Sequence, residues 1–185
     1  LTQAGLDQFR EWRPEYADAT FVSESGTYHK GTFTPNNGSP LKFATHSEVG
    51  KMSKSKYNVI NPDDVVERYG ADCFRMYEMF LGPIEQSKPW DTKGIDGVSK
   101  FLRKFWNLFF KDGEFKISDA AATKAELKIL HTAIKKITED IERLSFNTCV
   151  AAFMVATNEL TKIKCDKRTI LEEMILLLAP FAVHL

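Results

Sequence analysis

A chain of 185 residues, 43% hydrophobic and 27% charged, is long enough to bury a core of its own, and no stretch approaches the run of about 18 apolar residues that a membrane span needs. Its 25 basic and 25 acidic residues cancel, which excludes wholesale electrostatic coating of nucleic acid but leaves room for local basic stripes. Cys73, Cys149 and Cys165 are widely spaced and form no CxxC pair, which argues against a disulfide frame or a zinc site and fits a reducing cytoplasm.

In chain order, "LTQAGLDQFREWR" at 1–13 predicts a short helix capped by Thr2 and stopped before Pro14. Over 19–45 the period changes. "ATFVSESGTYHKGTFT" and "SPLKFA" are rich in Thr, Phe, Tyr and Val, and with turn signals at "SG" and "PNNG" they predict short strands. "NPDDVVERYG" has Asn61 as N-cap, Pro62 at the first helical position, acids in the first turn and Gly70 as a stop. "ADCFRMYEMFLGP" predicts a second helix ended by Gly82 and Pro83, and "IEQSKPWDTK" at 84–93 a connecting loop that hinges two parts.

From about Ile95 the chain predicts a helical bundle. Residues 95–111 place Val98, Phe101, Leu102, Phe105, Trp106 and Phe109 at helical spacing. "TKAE" at 123–126 is a capping box opening a helix with Leu127, Leu130, Ile134, Ile137, Ile141 and Leu144 as its stripe, and 147–163 and 168–184 supply two more helices. The expected fold is α+β and mostly α: a short β-rich N-terminal part over 1–83, a connection at 84–93, and an antiparallel bundle over 94–185. The chain has no methionine before Met52 and ends in the apolar run "LLLAPFAVHL", so we expect a piece of a longer protein.

The chemistry concentrates in "KMSKSKYN" at 51–58. Lysine is a mobile point charge able to follow phosphate oxygens, and serine hydroxyls can donate to the same oxygens or cap a turn. Taken as residues alone, the loop is either a phosphate grip or a solvated turn, and repulsion among Lys51, Lys54 and Lys56 predicts mobility until an anion arrives. On the predicted helix 95–111, Lys100, Arg103, Lys104, Asn107 and Lys111 share a face without an acid: an RNA-backbone surface or an ordinary solvated face. "KIKCDKR" at 162–168 offers the same two readings. Trp106 is expected in the core and Trp90 between the two parts. Asp72 is expected to pair with Arg75 or to orient the helix beneath the loop.

"KMSKS" stands intact at Lys51, Met52, Ser53, Lys54 and Ser55, and it resembles the signature of the class I aminoacyl-tRNA synthetases. Residues 61–109 closely resemble the leucyl branch of that family, with "GAD" and "WN" shared by isoleucyl and valyl relatives and "MFLGPIEQSKPW" leucyl in character. "LLLAPFAVHL" resembles the end of that subgroup's anticodon-binding bundle. The resemblance implies that residues 1–83 end a Rossmann-type catalytic domain and that 94–185 is a tRNA-binding bundle. It implies that Lys51, Met52, Ser53, Lys54 and Ser55 form an ATP-binding loop. In it Lys54 acts on the transferring phosphates, Lys51 and Ser53 support it, and Met52 is an apolar anchor.

The same resemblance makes Lys100, Arg103, Lys104 and Lys111 contacts to tRNA-Leu. ATP with magnesium is implied as substrate, with leucine bound in an upstream part, no resident cofactor or metal ligand in this chain, and a cytoplasmic, monomeric parent. The family's other signature, His-Ile-Gly-His, is absent, so the chain alone is expected to be inactive. Tyr57 stands where the family has glycine, and Val183 where it has proline. Two alternatives stay open: a class I synthetase for isoleucine, valine or methionine, and a non-catalytic helical RNA-binding module.

Overall fold

The structure is a computed structural model that describes residues 2–38, 48–56, 58–91 and 93–185; the strand expected at 39–44 and Tyr57 lie outside the described residues. The chain forms two compact units, Leu1–Lys51 and Met52–Leu185.

In the first unit, α1 (Gln3–Trp12) begins where the Thr2 hydroxyl accepts the Gly5 N–H and ends before Pro14. A three-stranded antiparallel sheet follows in the order β1 (Thr20–Ser23), β2 (Gly26–His29), β3 (Thr32–Pro35). Phe21 and Phe33 flank Tyr28 in register, and Tyr28 is fully buried with its hydroxyl donating to Asp7 of α1. The β2–β3 turn, Lys30–Gly31, has φ of 46° and 87°. Both residues are left-handed, as a two-residue hairpin matched to strand twist requires. "PNNG" begins at Pro35, the last residue of β3, and ends the sheet.

In the second unit, α2 (Pro62–Tyr69) starts with the Asn61 side chain accepting the Asp63 N–H and stops at Gly70, whose φ is 86°. α3 (Ala71–Phe80) follows directly. Then come α4 (Ile95–Trp106), the short hairpin β4 (Phe110–Lys111) and β5 (Glu114–Phe115), α5 (Lys124–Glu142), α6 (Phe146–Lys162) and α7 (Arg168–Leu178). The Thr123–Glu126 capping box is fully formed. α3 packs on α4 and α6, and α5 packs on α6 and α7, around one apolar cluster that includes Met76, Phe105, Ile137, Phe153 and Leu171. The chain is thus mostly α with a short antiparallel sheet part. Among the described residues no helix is long and apolar enough to cross a membrane.

Several expectations change. The compact units part at Lys51/Met52 and not at 84–93, because α3 buries Cys73, Met76 and Tyr77 in the same core as the bundle. The 84–93 loop is fastened to α3: Trp90 meets Tyr77 edge-on at 5.2 Å and Phe74 at 6.0 Å. The helix expected over 95–111 ends at Trp106. Leu108 and Phe109 tighten to i−3 bonds of 3.0 Å, and Asp112–Gly113, at φ 54° and 83°, turn the chain into β4–β5. Trp106 is 48% exposed and stacks on Phe110 at 4.7 Å instead of entering the core. On α5, Leu130 and Ile137 are buried with Ala133, but Leu127 and Ile141 are 38% and 39% exposed, and Leu144, just past the helix, is 54% exposed. The buried face has rotated to take in Glu126 and Asp140. α7 stops at Leu178, ahead of Pro180, whose ring disfavours helix before it.

Asp140 ties α5 to α6. Its carboxylate receives Lys136 at 2.8 Å and the Thr148 hydroxyl at 2.6 Å, while its backbone carbonyl accepts the Ser145 N–H at 2.8 Å.

Candidate functional site: the lysine loop and its cleft

The described part of the lysine loop is held by its own hydrogen bonds. The Ser53 N–H donates to Asn58 Oδ1 at 2.8 Å, and the Lys56 N–H to the Ser53 carbonyl at 3.0 Å, making a single 3-10 turn of Lys54–Lys56. The Ser53 and Ser55 hydroxyls meet at 2.8 Å. The turn leaves Lys54 and Lys56 exposed, and among the described residues no carboxylate lies within ion-pair distance of either. Lys51, also exposed, closes the first unit. The arrangement offers an anion two adjacent cations on a short, internally braced turn. Asn58 is the part that sequence reading missed; an Asn just past a Ser-rich turn is a common acceptor for loop N–H groups.

Met52, 42% exposed, lines a cleft of about 620 Å³ with Arg75, Glu78 and Met79 of α3, Trp90 of the connecting loop, and Leu144 and Phe146 at the α5–α6 turn. Arg75 therefore faces this cleft and does not pair with Asp72. Asp72 is buried and takes the His184 backbone N–H at 2.9 Å and ring Nδ1 at 3.0 Å.

The basic stripe expected on one helix face is divided. Lys100, Arg103 and Lys104 are exposed on α4, whereas Lys111 sits on β4. Lys104 donates to Asn158 of α6 at 2.6 Å, and Arg103 reaches back to the Ser99 carbonyl at 3.4 Å. In the second basic cluster Arg168 binds Asp119 at 2.6 Å and Glu172 at 3.3 Å, and Lys167 pairs with Asp166, so much of its charge is spent internally. All three cysteines are buried, and burial pushes the Cys73 and Cys165 thiols up to about 11, unsuited to nucleophilic chemistry.

Residues 3–91 match the family described as tRNA synthetases class I (I, L, M and V). With the intact Lys51–Ser55 motif, this places the chain in that class: it belongs to the class I tRNA synthetases. Within the class it is 54% identical over 180 residues to the leucine–tRNA ligase of Bacteroides thetaiotaomicron and 54% identical to that of Cytophaga hutchinsonii. Each match covers 97% of this chain and 18% of the relative, so the chain spans about a fifth of the length of the curated relatives it matches. Among solved structures it is similar to the ternary complex of Agrobacterium radiobacter K84 agnB2 LeuRS, tRNA and LeuAMS, with a TM-score of 0.59 and 30% identity over 72% of this chain and 20% of that one.

Proposed function

We propose that this chain is the part of a leucine–tRNA ligase that supplies the ATP-closing loop and a tRNA-docking bundle, and that the full-length parent activates leucine with ATP and transfers it to tRNA-Leu. The observation that carries this reading is the braced turn bearing Lys54 and Lys56, within a chain 54% identical to leucine–tRNA ligases along almost its whole length.

In the first step a leucine carboxylate oxygen attacks the α-phosphorus of ATP, forming leucyl-adenylate and breaking the bond to pyrophosphate. Charge develops on the leaving pyrophosphate, and the Lys54 ammonium, assisted by Lys51, neutralises it. Because a mobile cation can arrive only as that charge appears, its binding energy lowers the barrier instead of deepening the ground state. Ser53 and Ser55 shape the turn that carries Lys54, and Met52 anchors the turn in its cleft. Magnesium would enter with the nucleotide. No step is assigned to it. Lys100, Arg103, Lys104 and Lys111 face tRNA. The parent works as a cytoplasmic monomer, and this chain alone is inactive.

The test is leucine-dependent ATP–pyrophosphate exchange by the full-length parent beside its Lys54→Ala variant, with isoleucine, valine and methionine compared. Exchange specific to leucine that falls about 100-fold or more in the variant supports the reading. Exchange driven by another amino acid replaces the leucyl assignment, and no exchange with any of them leaves an RNA-binding module.

A further inference from the structure

The structure joins two basic runs that are separate in the sequence. Lys111 on β4, Lys116 just past β5 and Lys164 in the turn after α6 line one cleft of about 400 Å³, with Phe110, Asn107 and Thr161 among its walls. All three lysines are exposed, and among the described residues none has a carboxylate within ion-pair distance. The carboxylate inside the cleft, Asp166, is held by Lys167, which, with the Lys116 charge adding to it, keeps it below the ordinary carboxylate range. Backbone geometry sets these positions. The Lys116 N–H bonds the Phe109 carbonyl at 2.7 Å, and Lys164 adopts a left-handed φ of 55° where α6 ends.

Phe110, a wall of this cleft, also supports a platform. Trp106 lies nearly parallel to it at 4.7 Å and 14° and is 48% exposed, and Phe115, 61% exposed, meets its edge at 5.6 Å. A hydrophobic core would hide such rings. A groove of cations that follows a phosphate backbone, flanked by an exposed aromatic face on which a base can stack, is the physical signature of RNA recognition outside a duplex. An acidic protein would match the cations but leave the stacked indole without a role.

We infer that the Lys111–Lys116–Lys164 cleft takes the sugar-phosphate backbone of tRNA while a base outside the helical stems stacks on Trp106. This rests on the tRNA-docking role proposed above and assigns that role a place. It also moves the centre of binding from the α4 face to the β4–β5 hairpin.

The experiment is equilibrium binding of tRNA-Leu to the full-length parent across a range of salt, with leucine-dependent ATP–pyrophosphate exchange followed without tRNA. The combined variant Lys116→Gln, Lys164→Gln is expected to bind tRNA more weakly and to lower the salt slope by about 2, with exchange at the wild-type level. Trp106→Ala is expected to weaken binding about 5- to 100-fold with the slope unchanged. Unchanged affinity and slope with intact exchange overturn this inference alone and would fit an acidic protein partner instead. Absence of leucine-dependent exchange in the wild type overturns the proposed function, and this inference with it. If the combined variant also loses exchange, the single variants decide: each lowers the slope by about 1, or the inference falls.

Discussion

Asp72, at the start of α3, receives both the backbone N–H of His184 at 2.9 Å and its ring Nδ1 at 3.0 Å, so a carboxylate at the start of the second unit's helices fixes the last turn after α7. The two contacts are unequal. The His184 side chain is 71% exposed while that of Asp72 is 11% exposed, so water can replace the ring contact far more easily than the backbone one. Asp72→Ala is expected to cost about 1–3 kcal/mol, because it strands a partly buried N–H, and His184→Ala about 1 kcal/mol or less. Urea unfolding of the two variants checks the order. An equal loss in both would mean that the ring, and not the backbone, holds the turn after α7.

The Asp140 junction predicts an acid dependence. Burial pushes this carboxyl upward, but the Lys136 ammonium and the Thr148 hydroxyl bonded to it outweigh burial, with Lys136 and Arg143 charges adding to them, and hold it below the ordinary value. A group whose folded pKa is depressed stabilises the fold above its unfolded pKa of about 4, and that contribution fades as pH falls through the folded value. Asp140→Asn should therefore cost about 1–3 kcal/mol at neutral pH. The gap from wild type should narrow steadily below about pH 4. Unfolding curves at neutral pH and down the acid range measure it, and a gap constant with pH would show that the carboxylate's charge plays no part.

Local chemistry was readable in the sequence and distant geometry was not. The Asn61 cap, Pro62, the Gly70 stop and the Thr123–Glu126 box each depend on neighbours within four residues, and each stands as the pattern implied. The end of α4 was misjudged because its apolar spacing continues through Phe109, whereas Asp112–Gly113 is itself a hairpin signal that competes with the helix. Trp106 and the α5 stripe fit helical periodicity at several rotations, and only the packing of α3, α4, α6 and α7 selects which side is buried. Asp72 meets His184 only through the closure of the whole bundle. In the loop, the lysines and serines alone left a phosphate grip and a solvated turn both open, and the Asn58 brace is a side-chain contact that no residue pattern specifies.

Two glycines should respond in opposite directions. Gly26 has φ 151°, and a Cβ there would lie 2.3 Å from the Thr34 carbonyl oxygen and 2.6 Å from the Phe33 ring. Backbone and a packed ring cannot both yield, so Gly26→Ala should disrupt the β2–β3 pairing and cost roughly 3 kcal/mol. Gly97 lies inside α4 with nothing within 4 Å of an added Cβ. Gly97→Ala should stabilise by about 0.5–1 kcal/mol, through helix propensity and a less flexible unfolded chain. Thermal unfolding of each variant beside wild type decides, and a destabilised Gly97→Ala would point to a close approach at that face.

The loop brace separates geometry from charge. Asn58 Oδ1 accepts the Ser53 N–H at 2.8 Å and thereby closes the turn that carries Lys54, yet Asn58 itself carries no charge toward a nucleotide. In the full-length parent, Asn58→Ala should leave both lysines present but poorly aimed, so kcat for leucine-dependent exchange falls about 10-fold while KM for ATP moves little, the pattern of an interaction made only in the transition state. Asn58→Gln keeps the amide but lengthens its reach, and should fall between. Met52→Ala, which removes an apolar side chain from the cleft formed with Arg75, Trp90 and Leu144, should lower kcat in the same direction. A rise in KM with kcat unchanged in Asn58→Ala would instead mean that the brace helps bind ground-state ATP, and the loop would then act as a clamp on the nucleotide and not as a lid that engages during phosphoryl transfer.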